Sequence, residues 1–251
     1  MIWSSDIFEG NASRAISPQC GTWIWNIRKD ERSLFVSAYE NGGETDPPQE
    51  EAFILTPSGT VALLPALPEL PTVLTLENPL TIVPGTGVSG YLVLPVSMQL
   101  LQLTGHGKTV DKSVLKEIPG ITLSKTWFGT TVSGDLCYGW DTGLRMQLPR
   151  TGELEAVVPI TMENNSQTLL VVDKICLHTE YLELFITADR LWTNEVEVKY
   201  RGEEQKSTVT LGEDSPDEAS KYSGRIDPRK NQRRGFVVKT FDVIRQMTGI
   251  L

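Results

Sequence analysis

His106 and His178 are the only histidines of the 251-residue chain, and Cys20, Cys137 and Cys176 are its only cysteines. Those counts rule out a metal site built from three histidines and leave mixed histidine–carboxylate or histidine–cysteine sets as the metal chemistry to test. Cys176 and His178 stand two apart, so a regular strand puts both on one face, yet no C-x-x-C pair accompanies them. Two ligands at that spacing weigh less than the commoner outcome, a packed thiol beside an imidazole, so no metal and no cofactor is assigned. Gly105-His106-Gly107-Lys108-Thr109 has the ending of a phosphate-binding loop, whose consecutive backbone N–H groups cradle phosphate. The first glycine of that spacing would fall at 102, which is Gln102, so a turn after a strand is expected instead. There is no Gly-x-Ser-x-Gly elbow, and the carboxylates available for paired acid–base hydrolysis (Asp135, Asp141, Glu153, Glu155, Glu180, Glu183) are too many to single out a pair. No catalytic residue is assigned, and a non-enzyme is expected.

Binding chemistry has more to work with. In KTWFGTTVSGDLCYGWDT (125–142), Trp127 and Phe128 are adjacent and face opposite sides of a strand, whereas Tyr138 and Trp140 are two apart and share one. A hairpin here adds one of the first pair to the Tyr138/Trp140 face. Facing solvent, with Asp135 or Asp141 at the rim, such a trio would stack on a sugar, a base or a peptide side chain. Facing inward it is core, the commoner fate of strand aromatics. The candidate ligand-binding set is Trp127, Tyr138, Trp140 and Asp141.

A second candidate lies in the tail. Residues 225–251 hold seven basic and two acidic side chains, a net +5, while the other 224 residues carry −14. The body therefore repels polyanions and no nucleic acid is expected as a partner; Arg229, Lys230, Arg233 and Arg234 are the residues that would hold an anionic partner or a membrane surface. Docking of that tail on the acidic body, as the last element of the fold, is the alternative.

The elements that must position these residues are mostly strands. TWIWNI (22–27) alternates, with Trp23, Trp25 and Ile27 on one face, and SLFVSAY (33–39) follows a tight charged turn. AFILTPSGTVALL (52–64) reads as a second hairpin about Pro57-Ser58-Gly59, and the prolines of LPALPELP (64–71) recur every third residue, the mark of a stiff polyproline connector between sheets. Only DKSVLKEI (111–118) looks helical. From 154 onward five strand candidates follow closely; in Glu195-Val196-Glu197-Val198-Lys199-Tyr200 the apolar side chains fall on one face, as in a half-buried antiparallel strand. EDSPDEASKYSG (213–224) reads as a loop or disordered connector, and the tail beyond it as a helix, with GFVVKT (235–240) a last strand as the alternative.

The aromatic stretch, taken with PLTIVPGTGVSGYLVLPVSMQLL before it and LEAVVPITMENNSQTLLVVDKICL after it, resembles a mainly archaeal family called domain of unknown function 432. The resemblance spans about residues 70–200: an apolar run with a central proline, an aromatic–glycine hairpin, then a strand ending in Asn and Ser before the next apolar strand. It implies a β-rich cytoplasmic protein and brings no activity, cofactor or catalytic residue.

The expected architecture is mostly β: antiparallel β-sandwich domains, a sandwich or barrel-like one over 1–149 and a small immunoglobulin-like one over 150–212, followed by the connector and basic tail at 213–251. MIWSSDIFEG carries no basic residue and leads into no apolar run, so no export signal is read and a cytoplasmic location is expected. GYLVLPVSMQLLQL (90–103) is too short and too polar to cross a bilayer, the N-x-S matches at Asn11 and Asn164 are discounted, and the thiols are read as reduced and inert. The favoured function is a binding or protein-interaction module, with self-association one form of it. Carbohydrate or small-ligand binding through the aromatic hairpin, and peripheral membrane or anionic-partner binding through the tail, are the alternatives.

Overall fold

The computed structural model describes residues 3–8, 13–42, 49–106, 109–129, 134–202, 207–230, 235–238 and 241–242. The protein is mostly β, as expected, and divides into two compact units that the chain enters more than once. Unit 1 comprises Met1–Ala66, Val96–Ile121 and Gly152–Leu154, and unit 2 comprises Leu67–Pro95, Thr122–Thr151 and Glu155–Leu251. Residues 122–151 and 155–251 both belong to unit 2, with 152–154 passing through unit 1, and the chain also changes unit after 66, 95 and 121.

Unit 1 carries β1 (Ser13–Ile16), β2 (Gln19–Cys20), β3 (Trp23–Asp30), β4 (Ser33–Glu40), β5 (Glu51–Ile54), β6 (Thr60–Ala66), β9 (Ser97–His106) and β10 (Thr109–Pro119). One sheet runs β1-β3-β4-β5, with β2 also on β3, and the other β10-β9-β6. The alternation of β3 is real: Trp25 and Ile27 are buried and Asn26 and Arg28 exposed. Asp30 pairs with Ser33 across a two-residue turn in which Glu31 takes a left-handed φ of 48°.

Two expectations for this unit are corrected. The turn at Pro57–Ser58 forms, with Gly59 N donating to Thr56 O, but its flanking strands do not pair: β5 joins β4 and β6 joins β9. The difference lies in burial. Val61, Ala62 and Leu63 are consecutive and all buried, so β6 needs cover on both faces, while β5 is a thin edge with Ile54 74% exposed. Residues 111–118 belong to β10, not to a helix, and pair along β9 with a register shift between Val114 and Lys116. An eight-residue helix is marginal alone, and a long apolar partner strand overrides its propensity.

Unit 2 carries β7 (Thr72–Ile82), β8 (Gly87–Pro95), β11 (Ser124–Gly129), β12 (Gly134–Thr142), β13 (Glu155–Asn164), β14 (Leu170–Leu177), β15 (Leu184–Ile186), β16 (Leu191–Thr193), β17 (Val196–Tyr200), β18 (Ser207–Leu211), β19 (Gly224–Ile226), β20 (Gly235–Val238) and β21 (Phe241–Asp242). The sheets are β11-β12-β7-β14-β21 and β19-β15-β16-β13-β17-β18-β20, with β8 also on β13. Most pairings are antiparallel, but β12 runs parallel to β7, and β13 parallel to both β16 and β17. Segment 150–212 does not close on itself, since its central strand β13 pairs with β8 over Glu155–Glu163.

The apolar run around Pro95 is two strands in two units, β8 ending at the proline and β9 starting at Ser97. Of the connector expected at 64–71, residues 64–66 belong to β6 and only 67–71 link β6 to β7; the carbonyls of Pro68 and Leu70 accept from the buried Thr179 hydroxyl. Where a connector was expected, 213–224 is ordered: Ala219 is fully buried with Val157, Phe185 and Trp192, and the Tyr222 ring lies 5.2 Å from that of Phe185. In the tail, 235–238 and 241–242 are strands on β18 and β14 rather than helix; Arg233, Arg234 and residues 243–251 lie outside the described residues. No helix among the described residues is long and apolar enough to cross a membrane.

Candidate functional site

The aromatic stretch does form a hairpin, β11 against β12, and its register sorts the four rings. Trp127 opposes Leu136, Lys125 opposes Tyr138 and Phe128 opposes Asp135. Directly opposed residues share a face, so Trp127, Leu136, Tyr138 and Trp140 lie on one side and Phe128 and Cys137 on the other. Phe128 is core, packed with Val73, Cys137 and Cys176. Trp127 is 52% exposed and Leu136 46%, a contiguous apolar pair on the outermost strands of the sheet.

Tyr138 and Trp140 are half-buried. The Tyr138 hydroxyl donates to Glu69 Oε1 at 3.3 Å, and the Trp140 indole Nε1 is buried with no acceptor among the described residues. Three of the four candidate residues thus come together on one face. Asp141 does not join them; it is exposed, and the alternation of β12 turns it to the opposite side from Trp140. Gly134 shapes the pair: a Cβ there would stand 2.3 Å from Trp127 Nε1 and 2.8 Å from Phe128 O, so only glycine lets the indole lie across β12.

Behind the hairpin, Cys137 and Cys176 sit on one face with β7 between their strands. The Cys176 thiol donates toward the Cys137 sulfur, which pulls Cys137 below the usual thiol range and, with burial, holds Cys176 above it. Both are free, buried thiols. Cys20, in unit 1, is buried and pushed up to about 12, by desolvation first and then by Glu153. His178 turns to Glu180 and Tyr181, its Nδ1 3.6 Å from Glu180 Oε1 and its ring stacked on the phenol. Among the described residues no group of three or more His, Cys, Asp or Glu is placed to hold a metal ion.

The start of the tail lies against its own unit. Arg225 Nη2 donates to Glu183 Oε1 at 2.7 Å, Arg229 Nε to Leu67 O at 2.6 Å, and Lys230 N to Glu180 O at 2.9 Å. Lys230 Nζ also stands 3.7 Å from the buried Glu180 carboxylate. The sequon at Asn164 is closed to modification: the side chain is fully buried, donating to Ile82 O and Thr168 O and accepting from Ser166 N and Oγ.

The reading of single motifs misses one feature of unit 2, a groove of about 540 Å³ between β8, β13 and the loop 212–218. Tyr91, Met146 and Pro159 give it apolar surface, and Glu195 and the loop give it carboxylates. The Tyr91 hydroxyl donates to Glu218 Oε1 at 2.9 Å and its ring meets Trp192 edge-on at 6.3 Å. That bond, then burial and the Glu218 charge, raises the phenol above its ordinary range. The partners are 127 residues apart, so the only signal in the chain is the density of acids in EDSPDE.

Residues 12–245 match the family described as protein of unknown function (DUF432). No curated protein and no solved structure matches the chain.

Proposed function

The chain belongs to the DUF432 family, and from that premise we propose that it is a non-catalytic protein-interaction module whose contact surface is the β11–β12 hairpin. One observation carries the reading: Trp127 and Leu136 are paired across the hairpin and both stand about half out of the fold. A tryptophan at a protein surface is a costly residue to leave wet, and Trp is the side chain most often found anchoring interfaces. β11 ends its sheet, and among the described residues its outer edge carries no further strand, so the anchor lies beside a row of backbone donors and acceptors that an added strand from a partner could use. The proposal takes the two sheets of unit 2 as layers of a β-sandwich, supported by the alternating burial of β13 and β17.

The test places a photo-crosslinking residue at 127 or 136 in the full chain, and at the still more exposed Leu169 and Ile54 as controls. Protein adducts, or self-adducts if the partner is a second copy, are expected from the hairpin positions alone. Adducts from all four positions or only from the controls would refute the reading. The same face carries a second reading, sugar stacking, because Trp127, Tyr138 and Trp140 share it. It predicts that soluble oligosaccharides shield Trp127 from acrylamide. The basic tail is less favoured as a contact surface, since Arg229 and Lys230 already engage Leu67 and Glu180.

A further inference from the structure

We propose that the groove of unit 2 between Tyr91, Met146 and the loop 212–218 is a separate binding site, and that it takes an extended cationic peptide segment of a protein partner. Its volume, about 540 Å³, falls in the range of about 300–1,000 Å³ found for ligand sites. Five of its lining side chains are carboxylates, Glu195, Glu213, Asp214, Asp217 and Glu218, all exposed, and none of its lining residues is basic. The nearest arginine in sequence, Arg145, is engaged by Glu77 at 3.1 Å.

The acidic wall is held in place. At one end Gly212 N donates to Glu195 O and Asn194 Nδ2 to Gly212 O; at the other Ala219 is sunk in the core and Glu218 accepts from Tyr91. The loop backbone is anchored at both ends, which keeps its carboxylates along one wall of the groove, where their combined charge favours a cation.

Charge alone would suit any polyamine, but the apolar lining narrows the occupant. Tyr91 and Pro159 are half-buried, and Met146 is 59% exposed. Arginine and lysine bring an aliphatic stem to such a surface and a charged head to the carboxylates, and a guanidinium can lie over the Tyr91 ring. A peptide alternating basic and apolar residues uses both halves of the site, whereas a bare polyamine leaves the apolar half wet.

The probe is acetyl-Arg-Leu-Arg-Leu-Arg-Leu-amide, titrated into the full chain by calorimetry at low salt. Saturable binding is expected, weakened about tenfold or more by E213Q/D214N/D217N and about threefold by Met146→Ser. The control E50Q/D111N/E153Q removes the same charge elsewhere and should cost less than threefold. Trp127→Ala should leave this binding unchanged, which separates the site from the hairpin. Equal losses in the two charge variants, or binding that never saturates, would overturn the proposal. So would full displacement by spermine together with indifference to Met146→Ser, which would make this a polyamine site.

Discussion

Replacing two neighbouring rings one at a time tests whether the register of β11 has been read correctly. Phe128 and Trp127 are adjacent in sequence and similar in apolar character, yet one is buried against Val73, Cys137 and Cys176 and the other is 52% exposed. Phe128→Ala opens a cavity in a packed cluster and should cost about 3–5 kcal/mol. For Trp127→Ala the covered half of the indole is roughly 100 Å², about 2.5 kcal/mol at most by area. The lower bound is the cross-strand pair with Leu136, about 1 kcal/mol. At about 2–4 °C per kcal/mol for a chain of this size, Phe128→Ala lowers the melting temperature by about 6–20 °C and Trp127→Ala by about 2–10 °C. Thermal melts followed by circular dichroism give the ranking, and hydrogen exchange of the β12 amides shows whether the loss is local. If Trp127→Ala proves as costly as Phe128→Ala, the hairpin is shifted by one residue and the proposed contact surface is the wrong face.

Asn164→Ala removes the side-chain donors to the carbonyls of Ile82 and Thr168 and the acceptor of Ser166; with four bonds lost in a buried site, unfolding titrations should show a loss of about 2–4 kcal/mol. Ultraviolet titration should show Tyr91 ionising above the ordinary tyrosine range, and Glu218→Gln should bring it back. Because folding raises that pKa, the stability it contributes is complete below the ordinary tyrosine value of 10.0 and is lost as pH rises through the folded value. Non-reducing peptide mapping should find no native link between Cys137 and Cys176, and an aromatic disulfide reagent should titrate no thiol until the protein unfolds; a native bridge or a fast-reacting thiol would refute their assignment as free and buried.

The strands were readable where burial is one-sided. β3 and β17 alternate because each has a wet face, and the apolar residues of 195–200 fall on the buried face as expected. Partner choice was not readable. Pro57-Ser58-Gly59 marks a turn in either topology, and only the two-sided burial of Val61–Leu63 sends β6 to β9, a comparison between strands far apart in the chain. At 111–118 the composition is helical and the ladder with β9 decides otherwise. The hairpin at 125–142 was readable as a hairpin, but which ring points outward depends on register, which is set by Gly129 opposing Gly134. The groove was out of reach because its two walls come from segments more than a hundred residues apart.

The repeated passage of the chain between its units has a consequence for how the protein is made. When residues 87–95 leave the ribosome, their ladder partner at 155–163 has not yet been synthesised, and unit 1 is completed only by residues 152–154, where Leu154 O receives the amide of Val96. Unit 1 cannot close until residues 152–154 are made, and β7 and β8 of unit 2 wait unpaired for some sixty residues of elongation before their partners in β12 and β13 follow. Cutting the gene at either end of that interval leaves each fragment without strands that the other encodes, so a two-fragment version of this protein should recover its fold only when both pieces are expressed together.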